Sequence, residues 1–122
     1  HDPHDEGLSR WYIYDYFDTV YDTDLRRYPS GNSLLQMMKV EGFANPSVQV
    51  VEQIQNIHVG EAVLKDPFLK HNATSQLALL DEKTYQSGLE RIHQALAAAR
   101  ERGEHITFRS EILVKMFLAY KP

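Results

Sequence analysis

The chain has 122 residues, a formal net charge of −4 and no cysteine, so it can bury one core without a metal or disulfide staple, and thiolate catalysis, a disulfide framework and cysteine-ligated zinc are excluded. Lysine and arginine are scattered among acids, which leaves no broad basic field for a nucleic-acid backbone. No apolar run reaches the roughly 20 residues that span a bilayer, and no basic stretch leads into an apolar one at the start, so the chain reads as a soluble, cytoplasmic protein with neither nucleic acid nor membrane as a partner.

The chain opens on His1-Asp2-Pro3-His4-Asp5 without an initiator Met, which predicts a polar loop separated from an upstream part. A copper site on His1 and His4 is the competing reading, because a terminal amine and imidazoles are nitrogen donors. The loop reading needs no further ligands, and no metal residue is assigned.

Next comes the aromatic run Trp11-Tyr12-Ile13-Tyr14-Asp15-Tyr16-Phe17. Trp11, Tyr14 and Phe17 lie three apart and share one side of a short helix, with Tyr12 and Tyr16 on an adjoining side. Such a helix packs on a core, or walls an apolar pocket with tyrosine hydroxyls to orient a ligand, or does both.

Pro29 forces Tyr28 out of helical geometry, and Ser30 caps a helix that runs to about Glu41. Leu34, Leu35 and Met38 make its buried stripe, Gly42 is its left-handed stop, and Phe43 folds back onto the core. A strand runs from about Val48 to Val59. Its apolar phase changes from Val48, Val50 and Ile54 to Ile57 and Val59, which predicts a bulge near Gln55 and Asn56. His58 is a candidate base if the sheet presents it to a pocket, and otherwise a surface histidine at a strand end.

From Glu61 to Leu80 the pattern weakens, with Pro67 as a break and a short helix over 73–80. The sequon Asn72-Ala73-Thr74 is a chance-level match. Asp81 caps a long helix from Glu82 to about Arg102, along which Tyr85, Leu89, Ile92, Leu96 and Ala99 recur at helical spacing. Arg100 and Arg102 suit its C-terminal dipole and Gly103 ends it. His93 sits one step off the stripe, as a boundary residue.

The last strand, Ile106 to Tyr120, is apolar in both phases. Ile106, Phe108, Ile112, Val114, Met116, Leu118 and Tyr120 make one face, and Leu113, Phe117 and Ala119 give the other an apolar patch. Leaving Leu113 and Phe117 in water would forgo roughly 1.5–3 kcal/mol each. The strand is therefore expected in the middle of a sheet, covered on both faces by protein encoded elsewhere. The elements predict an α+β fold of helices plus a two-stranded antiparallel pair, forming a single partial domain over 1–122 with a helical insertion at about 61–103. Two strands alone are marginal, so a missing N-terminal portion or a second copy of the chain in a homodimer is expected beside them.

Asp24-Leu25-Arg26-Arg27-Tyr28-Pro29-Ser30, the helix end Glu41-Gly42-Phe43, the strand with Val50-Val51-Glu52 and the final Phe108-Arg109-Ser110 resemble the C-terminal part of class I S-adenosylmethionine-dependent methyltransferases. Thr74-Ser75-Gln76-Leu77, followed by Tyr85 and Gly88, looks like the insertion between the last two strands of the members that act on small molecules. The resemblance implies the C-terminal portion of an α/β Rossmann-like sheet of seven strands, whose last strand lies between the fifth and sixth and antiparallel to both. It implies S-adenosylmethionine as cofactor of the intact protein, and a transferase reaction in which a nucleophilic O, N or C atom attacks the activated methyl group. Alignment and exclusion of water matter there more than a strong acid or base.

The family's glycine-rich turn is absent, since the six glycines include no G-x-G, so these residues alone are expected to bind no cofactor and to be inactive. Trp11, Tyr12, Tyr14 and Phe17 are the candidate wall of a small-molecule substrate site, and Arg27 either orients an anionic substrate or braces its loop through an ion pair. No catalytic residue is assigned. The alternative is a self-contained α+β binding or dimerisation module, which the tidy capping and the lack of a catalytic constellation favour.

Overall fold

The structure is a computed structural model and describes residues 3–4 and 10–121, so the His1 end of the suggested copper tract lies outside the described residues. A two-residue strand β1 (Arg10–Trp11) leads directly into α1 (Tyr12–Tyr16). After a left-handed residue at Thr19 comes α2 (Val20–Arg27), and the Ser30 side chain then caps α3 (Gly31–Val40) by accepting from the Ser33 N–H at 3.1 Å. At the far end of α3, Gly42 takes φ 86° and lets the N–H groups of Gly42 and Phe43 reach back to Lys39 and Met38. That geometry favours glycine because a side chain would be strained there.

Strand β2 (Ala44–Val59) follows, then two 3₁₀ turns (Gly60–Lys65 and Pro67–Leu69), a short α4 (Ser75–Ala78) and the long α5 (Glu82–Glu101). Asp81 caps α5 by accepting from the Thr84 N–H at 2.7 Å. The chain closes on β3 (Thr107–Tyr120). The fold is thus α+β, with five α-helices and a three-stranded antiparallel sheet in the order β1-β3-β2 among the described residues.

The sheet corrects the expectation of a two-stranded pair, because Trp11 belongs to a strand that pairs with Ser110. It also moves the bulge. Gln55 and Asn56 pair regularly with Glu111 and Ser110, while the register shifts between Val50 and Glu52 and again between Ala44 and Ser47. Opposed residues share a face, so Val48, Val50, Ile57 and Val59 all lie on the face of Phe117, Lys115, Arg109 and Thr107, and Ile54 lies on the other with Ile112. The irregularity at Val51 produces the phase change read from the sequence; Ile54 belongs to the opposite face, and taking it with Val50 displaced the expected bulge.

The two apolar phases of β3 are covered by different elements. On one face Phe108, 1% exposed, is met edge-on by Tyr12 and obliquely by Tyr16, both from α1. On the opposite face and further along, Phe117 and its partner Val48 line an open cleft with Gly31, Asn32 and Leu35 of α3, which packs on both strands there. Leu113 is buried and Phe117 half-buried, so part of the cover expected from elsewhere comes from this chain's own α3. The remaining face of that half stays open, with Met116, Leu118 and Tyr120 exposed. The stripe of α3 is correspondingly thin: Leu34, Leu35 and Met38 are half-buried, and Phe43 is exposed rather than folded onto the core. Phe43 leads into β2 and is carried away from the helix it follows.

The main core gathers Trp11, Tyr12, Ile13, Phe17, Val20, Val63, Leu77, Tyr85, Ile92, Leu96 and Phe108. Phe17 stacks on Tyr85 of α5 with centroids 5.7 Å apart, and Gly88, one turn on, leaves the space its ring fills. His93 is exposed beside half-buried Leu89. A methyl group at position 88 would fall inside the Phe17 ring. Gly88→Ala is therefore expected to destabilise the chain by about 1–3 kcal/mol through overpacking, less up to about 1 kcal/mol of helix propensity gained. Urea denaturation checks this, and a variant at least as stable as the parent would contradict it.

Candidate functional site

Two buried carboxylates organise the aromatic run, and neither was singled out in the sequence. Asp66 stands before Pro67, where a residue with a short acceptor side chain caps the following turn, and its Oδ1 accepts the Phe68 N–H at 3.0 Å. Its Oδ2 accepts the Tyr12 hydroxyl at 2.6 Å. The same oxygen lies 3.4 Å from Nε2 of His58, which comes from the end of β2; that nitrogen is buried and makes no hydrogen bond. Tyr12 stands edge-on to His58, centroids 6.2 Å apart. Asp66, Tyr12 and His58 thus converge from a turn, a helix and a strand.

The second carboxylate is Asp24 of α2, which is fully buried. Its Oδ2 accepts the Tyr14 hydroxyl at 2.7 Å, and its Oδ1, without a hydrogen bond, lies 3.8 Å from Nη1 of Arg27. Arg27 also lies over the Tyr28 ring, 5.3 Å from its centroid, and donates through Nη2 to Ser75 Oγ at 3.4 Å. It therefore links α2 to the start of α4.

Both hydroxyls are held well above the ordinary tyrosine range. Burial is the larger cause for each, followed by the hydrogen bond to the carboxylate, Asp66 for Tyr12 and Asp24 for Tyr14. Each hydroxyl is consequently a fixed donor and remains neutral near pH 7.

The four substrate-wall candidates and Arg27 do not form one surface. Trp11 and Tyr12 line a small open cleft with Asp15, Tyr16, Arg10 and Arg109, in which burial raises the pKa of Asp15. Tyr14 turns towards α2, edge-on to both Trp11 and Tyr21. Phe17 is enclosed against α5, and Arg27 stands at the α2 end. The Trp11 indole N–H is buried without a hydrogen-bond partner among the described residues. Among the described residues no group of three or more His, Asp or Glu could hold a metal ion, and no helix is long and apolar enough to cross a membrane.

Chemically, the Asp66 centre has the parts of a proton-handling site. An imidazole faces, at 3.4 Å and without a hydrogen bond, a carboxylate that a tyrosine and a backbone N–H hold in place. The Asp24 centre braces structure, since its donor, Tyr14, comes from the neighbouring helix α1. No family model matches the chain, and neither a curated protein nor a solved structure matches it.

The tyrosines predict an alkaline limit to stability. Unfolded, Tyr12 and Tyr14 ionise near their ordinary 10.0, whereas folded they keep their protons to higher pH. Their contribution is complete below pH 10, and above it the unfolded state binds fewer protons, so stability falls by up to about 1.4 kcal/mol per pH unit for each tyrosine. Urea midpoints taken across pH 10 should decline more steeply for the parent than for a Tyr12→Phe/Tyr14→Phe variant. Equal slopes would show that the hydroxyls do not carry the effect.

Proposed function

We propose that the chain is the C-terminal, substrate-side portion of an S-adenosylmethionine-dependent methyltransferase acting on a small molecule. The observation that supports this most is the sheet order: β3 lies between β1 and β2 and antiparallel to both, with a helical insertion joining β2 to β3. This is the placing of the last strand that the resemblance implies. The open surfaces agree with it. Among the described residues β1 pairs with β3 only at Arg10 and Trp11, and Met116, Leu118 and Tyr120 are exposed beyond them, which suits a further strand and a covering helix contributed by upstream sequence.

The residues present do not fit the cofactor. Binding its nucleoside requires a glycine-rich turn leaving a strand and an acid for the ribose, and no G-x-G run occurs here. The contribution of this chain is to the acceptor side. In this reading Trp11 and Tyr12 wall the substrate end of the cleft, and Arg27 braces α2 through Asp24 and Ser75. His58 faces Asp66 and lines none of the described clefts, so it is given no part in proton transfer.

Calorimetric titration with S-adenosylmethionine tests the division of labour. The 122 residues alone are expected to give no saturable heat, and a polypeptide extended by its upstream residues to bind the cofactor. Tight binding by the short chain, or none by the extended one, would overturn the proposal.

A further inference from the structure

We infer that the free edge of β2 is a self-pairing interface, through which two copies of the chain join their sheets antiparallel about a two-fold axis at Gln55. β2 is the edge strand of the described sheet. Its first half is interrupted by Pro46 and by the register shifts flanking Ser47 and Val51, devices that discourage pairing. From Glu52 to Val59 it pairs with β3 without interruption. That stretch contains no lysine and no proline, its sole acid is Glu52, and it holds Ile57 and Val59 at 57% and 52% exposure. An unblunted edge of this kind presents a row of unpaired backbone donors and acceptors.

The occupant is a second copy because the stretch complements itself. A two-fold axis normal to the sheet must pass through a residue if each face is to continue unbroken into the partner sheet, since a one-residue slip would exchange the faces. With the axis at Gln55, Glu52 of each copy takes the register position opposite His58 of the other, twice by symmetry, so that the acid of the stretch is never set against its own copy. Gln53 then faces Ile57, Ile54 faces Asn56, and Val59 meets Val51 of the second copy, itself 53% exposed. No like charges are opposed. The inference does not require the methyltransferase reading, since it rests on the register and composition of β2 alone.

Sedimentation velocity over a concentration series tests it, with cross-linking to fix the register. The protein has no cysteine, so a single Gln55→Cys places two thiols across the axis, with Cα atoms about 4.5–5.5 Å apart and within disulfide range. It should form a disulfide dimer at least tenfold faster than Gln49→Cys. The pair Gln53→Lys with Ile57→Lys, both at exposed positions, opposes like charges and should abolish association, while Gln53→Glu with Ile57→Lys should restore it. Circular dichroism confirms that each variant is folded. A parent chain that stays monomeric throughout, or equal cross-linking at positions 49 and 55, would overturn the inference.

Discussion

The fold turns on a change of covered face midway along β3. A strand sends alternate side chains to opposite faces, so a strand roofed first on one side and then on the other must be apolar in both phases. Phe108 lies under α1, and Phe117 lies on the opposite face beside α3. This alternation decides the path of the rest. α1 and α5 must stack on one side, α3 must reach the other, and β2 must accompany β3 past both. The irregularity at Val51 keeps Val48 and Val50 on a common face with Ile57 and Val59 despite their different sequence phase.

The aromatic run is held at this junction by charge as much as by area. Tyr12 and Tyr14 leave α1 in different directions and each donates to a carboxylate drawn from elsewhere, Asp66 beyond β2 and Asp24 on α2. A buried carboxylate is costly unless hydrogen-bonded, so each tyrosine hydroxyl lowers the penalty of its acid, and each acid fixes the angle of its ring. The Asp66 centre differs from the other in having a histidine beside it. It joins a turn, a helix and a strand, whereas the Asp24 centre joins helix to helix.

Several elements were legible in the sequence because their signals are local. Ser30 and Asp81 cap the helices they precede, Gly42 and Gly103 take left-handed conformations after the helices they end, and Tyr85, Ile92, Leu96 and Ala99 form the buried stripe of α5. The grouping of Tyr12 with Tyr16 also appears, as their shared contact with Phe108. Long-range features were misread. Trp11 has the aromatic spacing of the helix but lies in a strand, since only β3 can supply its partner, and Phe43 looked like core yet stays exposed because β2 leads it away. Asp66 gave a capping signal through the Asp-Pro step, but its acquisition of Tyr12 and His58 depends on residues 54 and 8 positions distant.

By itself the sequence determined the helices, their caps and the double apolar character of the last strand, because propensity, capping and periodicity act within one or two turns of chain. Tertiary structure alone decided that β3 would be flanked by β1 as well as β2, and that its two faces would be roofed at different ends. It also decided that two acids would be buried against two tyrosines. The physical reason is that strand pairing and the desolvation of a charge depend on which distant segments arrive beside a residue, and neither leaves a periodic mark on the residues that carry it.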